Sequence, residues 1–185
     1  TLITDELYNG VVIKLGKNFN RISVLNEDII ISGTAVYDKN LADYAANNGL
    51  SGFEFLACIP GTIGGGIKMN AGCFGKEIKD ILISVQAVDK NGNVVTIPAK
   101  EIEFKYRNSN LPEDLIFLSA SFKGLKKNPE KIKEEMLNLK IKKDKNQPTK
   151  IKTSGSTFKN PIEQTNKKVW ELIKESVPLD TSFGD

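Results

Sequence analysis

The sequence predicts a folded chain that mixes strands with helices. Three observations carry that reading: β-branched runs bounded by Gly and Asn/Asp, leucine- and alanine-bearing stretches at helical spacing, and an Asn-Gly pair set between two apolar runs. Taken in order, residues 10–15 and 28–32 read as strands. Residues 38–48 carry Leu41, Ala42, Tyr44, Ala45 and Ala46, and Asn48-Gly49 closes them, which predicts a helix with a C-terminal stop. Between 81 and 97 two strands flank Lys90-Asn91-Gly92-Asn93, a strong hairpin signal. Residues 115–122 read as another strand. The stretch 128–143 alternates Lys and Glu around Ile132, Met136, Leu137 and Leu139, the pattern of an amphipathic helix.

The composition bounds the chemistry. At 185 residues, with 39% hydrophobic and 26% charged side chains, the chain has the makeup of a soluble globular protein. A net charge of +3 is too small to imply nucleic acid or a membrane as partner, and no signal peptide or membrane-spanning run occurs. The lysine-rich run 123–152 contains Glu130, Glu134, Glu135 and Asp144 and no aromatic residue, so it reads as a solvated helix face. Histidine is absent, which removes Ser-His-Asp and Cys-His nucleophilic schemes and histidine metal ligation. Cys58 and Cys73 are too far apart for a CxxC motif and sit among apolar or small residues; they read as buried free thiols suited to a reducing cytosol.

Three segments stand apart. The first is GTIGGGIKMNAGCFG, residues 61–75, with six glycines in fifteen positions. Glycine at this density marks a turn or a close approach of backbone to another surface. A Walker A loop is excluded because Ile67 follows Gly66 where Lys is required, and a Rossmann fingerprint is absent. The segment reads as a backbone cradle for a ligand such as a dinucleotide, or as a structural turn. The second is Tyr106-Arg107-Asn108-Ser109. Arg21 and Arg107 are the only arginines, and a planar guanidinium grips carboxylate or phosphate in a way lysine does not. The third crowds hydroxyls and an amide around one glycine, from Lys152 to Pro161. A serine without histidine is a poor nucleophile, yet its hydroxyl can deliver a proton.

Together, IPGTIGGGIKMNAG, then YRNS, then QPTKIKTSGSTFKNP closely resemble the MurB family, the UDP-N-acetylenolpyruvoylglucosamine reductases of bacterial peptidoglycan synthesis, from about Asn9 to the C-terminal end. The resemblance implies an α+β FAD-binding fold of the vanillyl-alcohol oxidase (PCMH) type, with FAD as cofactor and NADPH as hydride donor. It implies a flavin domain over 1–124, then a connecting helix and the start of a substrate domain over 125–185. The implied reaction reduces a UDP-sugar enolpyruvyl ether to UDP-N-acetylmuramate in the cytoplasm, with a small-molecule substrate, no metal, no nucleic acid and no membrane.

Carried over residue by residue, the resemblance makes Arg107 the electrophilic stabiliser and Ser156 the proton donor, with Tyr106 and Asn160 at the substrate. It assigns Gly61, Thr62, Gly64, Gly65, Asn70 and Gly72 to the flavin. Members also carry a Gly-x-Gly-Ser-Asn loop before the region that begins here and a catalytic glutamate beyond Asp185. The expectation is therefore a chain cut at both ends that alone holds FAD weakly. A non-catalytic remnant, or another FAD oxidoreductase of the same fold, is the rival reading.

Overall fold

In the computed structural model, residues 7–146, 158–178 and 181 are described. They fall into two compact units, Gly10–Thr149 and Thr1–Asn9 with Lys150–Asp185.

The larger unit is built on a five-stranded antiparallel sheet. Its strands are β1 (Ile22–Val24), β2 (Ile29–Gly33), β6 (Leu82–Val88), β7 (Val94–Pro98) and β10 (Ile116–Lys123), in the order β1-β2-β10-β6-β7. Register puts Ile30 opposite Phe122 and Phe122 opposite Leu82, while Ser32, Ala120 and Val85 form the next row. All six side chains are buried, so one face of the sheet is the core face, and the alternation along each strand follows from the two-residue pleat. The β6–β7 hairpin turns where Asn91-Gly92 predicts it. Gly92 takes φ +84°, and the Asp89 carboxylate accepts from the Asn91 and Asn93 amides at 2.8 and 2.9 Å.

Helix α1 (Asp38–Asn47) covers the core with Leu41, Ala42, Ala45 and Ala46, spaced at helical intervals. It ends as expected: Asn48 donates from its side chain to Tyr44 O at 2.8 Å, and Gly49 takes φ +67°. Gly49 also has to be small, since a Cβ there would stand 3.0 Å from Lys127 O. After the short strand β3 (Leu50–Ser51), Phe53 meets Phe122 edge to face, with ring centroids 6.2 Å apart. A short 3₁₀ turn, Glu54–Cys58, follows and packs on α1. β3 pairs with β11 (Leu125–Lys126), and the chain then enters α3 (Pro129–Asn146). That helix seats Ile132 against α1 and the Glu54–Cys58 turn and keeps its Lys/Glu face in solvent.

Two expectations change. Residues 10–15 form no strand: Val11 and Val12 are each 83% exposed, because no described strand offers them a ladder and β-branched side chains favour a pleat only when one exists. The glycine-rich stretch is in part a helix, α2 (Ile63–Lys68). Its three glycines are poor helix formers, so packing rather than propensity holds it.

In the smaller unit the described element is α4 (Val169–Ser176). Asn160 Oδ1 accepts the Val169 amide at 3.0 Å, so this side chain satisfies one of the orphan donors at the helix start.

Candidate functional site

Thr34 is where the site begins. It leaves the end of β2, donates its hydroxyl to Phe117 O and its amide to Leu118 O, and accepts the Gly64 amide at 2.9 Å. Two further bonds run alongside: Ile63 N to Val36 O at 2.9 Å and Asp38 N to Gly61 O at 3.1 Å. The β2–α1 turn, the start of α2 and the entrance to β10 are thereby fixed to one another. They border an open cavity of about 830 Å³, flanked on its other side by residues Val12 to Lys17. That volume lies within the roughly 300–1,000 Å³ of small-molecule sites.

The glycines divide by what they touch. A Cβ on Gly64 would stand 3.2 Å from Thr34 Cβ, on Gly61 2.8 Å from Asp38 Oδ2, and on Gly72 2.5 Å from Lys76 O. These three let backbone pack on the chain's own atoms. Gly65 is different: its nearest neighbour is Thr62 Oγ1 at 3.8 Å, it is exposed, and with Thr62 and Gly64 it lines the cavity.

Asp38 lies under this cradle. It is wholly buried, neither carboxyl oxygen has a hydrogen-bond partner among the described residues, and burial pushes its pKa up to about 7.

The Arg107 region continues the same body. Asn70, wholly buried with φ +40°, donates to Glu77 Oε2 at 2.9 Å and to Lys105 O at 3.2 Å, and accepts the Lys79 amide at 3.2 Å. It thus joins β4 (Gly72–Cys73) and β5 (Lys76–Glu77) to β8 (Phe104–Lys105). Tyr106 and Arg107 form the turn from β8 to β9 (Asn108–Ser109), and Ser109 Oγ donates to Lys68 O at 2.9 Å. Lys68 reaches over to Leu111 O at 2.8 Å, which rivets the end of α2 to the same loop. Arg107 takes φ +55°, donates from Nη2 to Gly72 O at 3.3 Å, and holds its guanidinium 4.9 Å from the Tyr106 ring centre. Among the described residues, the non-glycine positions with positive φ are Asn70, Phe74 and Arg107, all in this one region. Backbone strain of this kind concentrates at functional sites.

Of the residues singled out from sequence, Gly61, Thr62, Gly64 and Gly65 come together at the cradle, and Asn70, Gly72, Tyr106 and Arg107 form the region attached to it. Asn160 belongs to the smaller unit, and Ser156 lies outside the described residues. The cavity wall from Thr34 to Tyr37 and from Leu115 to Phe117 was not anticipated. The one sequence signal for it was Ser32-Gly33-Thr34, small residues at a strand end. Cys58 and Cys73 are free; Cys58 is buried and Cys73 partly so. No described helix is long and apolar enough to cross a membrane, and no described cluster of three side chains could hold a metal ion.

The family described as FAD binding domain matches residues 1–98, and the chain belongs to it. The residues present suit FAD: the cavity has apolar walls, with the exposed Gly65 backbone and Thr62 beside it, and Lys14 and Lys17 are among its lining residues. The UDP-N-acetylenolpyruvoylglucosamine reductase of Pelagibacter ubique is 72% identical over the whole chain, which covers 61% of that relative. The reductase of the same name from Rickettsia typhi is 47% identical over 95% of the chain and 58% of its own length. The crystal structure of UDP-N-acetylenolpyruvylglucosamine reductase (MurB) from Thermus caldophilus matches with a TM-score of 0.76 and 32% identity, over 88% of this chain and 57% of that one. The expected α+β flavin-binding fold is thus borne out, and the chain spans about three-fifths of the length of the curated relatives it matches.

Proposed function

We propose that the chain is part of an NADPH-dependent reductase acting on UDP-N-acetylglucosamine enolpyruvate in the bacterial cytoplasm. Residues 1–124 belong to its flavin domain and 125–185 lead into its substrate domain. The observation that carries the reading is Arg107, one of two arginines, held at φ +55° and tied through Gly72 O to the segment that continues from the cofactor cradle.

When bound in the cavity lined by Thr62, Gly64 and Gly65, FAD would supply the hydride chemistry, with NADPH as its reductant. This chain's residues do the rest. Hydride addition leaves negative charge on a carbon conjugated with a carboxylate, and the planar Arg107 guanidinium stabilises that charge. Tyr106, under the guanidinium, limits its swing. Ser156 delivers the proton that completes the reduction, and Asn160 contributes to substrate binding. Gly61, Thr62, Gly64, Gly65, Asn70 and Gly72 shape the flavin side. Of these, Thr62 and Gly65 offer polar groups to the cavity, whereas Asn70 acts by holding β5 and β8 in place.

The test is substrate-dependent NADPH oxidation by the full-length protein that carries this sequence. Turnover with the enolpyruvyl UDP-sugar and none with UDP-N-acetylglucosamine is expected. A yellow protein that oxidises NADPH at one rate with or without the enolpyruvyl substrate overturns the proposal.

A further inference from the structure

Cys58 closes the 3₁₀ turn just before the cradle, and Cys73 lies in β4 beside the Gly72 carbonyl that receives Arg107. β4 packs on that turn, so the two cysteines sit on neighbouring segments of one body, close enough for each thiol to bear on the other's titration. Both are free, Cys58 only 5% exposed and Cys73 more open. Lys143 of α3 donates to Cys58 O at 2.8 Å, so an ammonium stands over the pair. Neither thiol has a part in the reductase reading.

We infer that Cys58 and Cys73 are an oxidant-sensitive dithiol, which a hydroperoxide converts to an internal disulfide between the turn and the β4–β5 hairpin. The inference concerns these two thiols alone and holds whether or not the chain is a reductase.

In the first step the Cys73 sulfur, as thiolate, attacks one peroxide oxygen. The O–O bond breaks, Cys73 becomes a sulfenic acid, and the second oxygen leaves with a proton as water or alcohol. The Cys58 sulfur then attacks the Cys73 sulfur, the S–O bond breaks, and a second water leaves as the S–S bond forms. The two thiols supply both electrons and both hydrogens, and the peroxide is the species reduced. Burial pushes both thiols above their ordinary range, and Lys143 pulls each partly back. Since the thiolate is the reacting form, the rate rises about tenfold per pH unit below the thiol pKa. The partial exposure of Cys73 admits a small peroxide more readily than a bulky reagent.

The experiment treats the folded, natively expressed protein with hydrogen peroxide at pH 7 and pH 8, removes the peroxide, unfolds the protein in urea, blocks remaining thiols with a maleimide, and maps the peptides by mass. The expected product is a linked Cys58–Cys73 peptide pair lacking two hydrogens, formed about tenfold faster at pH 8 and restored to thiols by dithiothreitol. Cys58→Ser is expected to abolish the linked pair and let a sulfenic acid accumulate on Cys73, trapped by dimedone. Cys58→Ala serves the same purpose if the serine variant folds poorly. Two results overturn the inference: both cysteines remaining maleimide-reactive after peroxide exposure that oxidises them in urea, or Cys73 proceeding to sulfinic acid in the unsubstituted protein without any linked pair.

Discussion

Asp38 Oδ2 lies 2.8 Å from the position that a Cβ on Gly61 would occupy. The two residues are already joined by the bond from Asp38 N to Gly61 O, so neither segment can retreat without giving it up. Gly61→Ala should therefore destabilise the fold by about 1–3 kcal/mol, the usual cost of forcing extra atoms into a packed site. Gly65→Ala, whose new methyl meets only Thr62 Oγ1 at 3.8 Å, is the control and should keep or raise the urea midpoint, alanine being the better helix former by about 1 kcal/mol. Equal effects from both would show that the close approach to Asp38 does not set the need for glycine at 61.

The same carboxyl makes stability depend on pH. Burial raises the folded-state pKa of Asp38 to about 7, above its ordinary value, so the unfolded state gives up the proton first. The stabilising contribution is full below about pH 4, declines as pH rises, and is lost once pH passes about 7, with an upper limit of about 4 kcal/mol. Asp38→Asn removes the titration. Urea unfolding at pH 5 and pH 8 should show the natural protein losing stability over that interval and the asparagine variant losing much less. Parallel losses in both proteins would place the titrating group elsewhere.

How much of this could be read from sequence depends on whether the signal was local. The β6–β7 hairpin was legible because Asn91-Gly92 meets its φ requirement within the turn itself, and α1 because Leu41, Ala42 and Ala45 repeat at helical spacing before Asn48-Gly49. Helix α2 was not, since what makes Gly64 and Gly66 suitable there is the nearness of Thr34 and Asp38, more than twenty positions away. Residues 10–15 failed the other way: their β-branched run promises a ladder that the described chain does not supply. In the site, the scarcity of arginine pointed to Arg107, while the burial of Asp38 was invisible because an acid in the first turn of a helix is ordinarily solvated.

Arg107 is strained where it stands. An L-residue near φ +55° pays roughly 1–2 kcal/mol relative to right-handed backbone, and glycine does not. Arg107→Gly should therefore be more stable than Arg107→Ala by about 1 kcal/mol, the reverse of their order in a helix. Both should lose turnover in the full-length enzyme, by roughly 10²–10³-fold if the guanidinium stabilises developing charge. Alanine more stable than glycine by chemical denaturation would mean that the backbone relaxes and that the strain is not stored at this turn.

The sharpest prediction separates the two halves of the proposed reaction. If Ser156 protonates the substrate carbon after hydride addition, it takes no part when NADPH reduces the flavin. A positioned general acid contributes roughly 10²–10⁴-fold, so Ser156→Ala should slow overall turnover by about that factor while the first half-reaction runs at nearly its normal rate. With no histidine in the sequence, no imidazole of this chain can take over the role. Stopped-flow absorbance reads the halves independently: the yellow colour bleaches on adding NADPH and returns on adding the enolpyruvyl substrate. Normal bleaching with slow recovery is the expected result. Slow bleaching with normal recovery would reverse the assignment, and the hydroxyl of Thr157, next in the chain, would then be the one to remove.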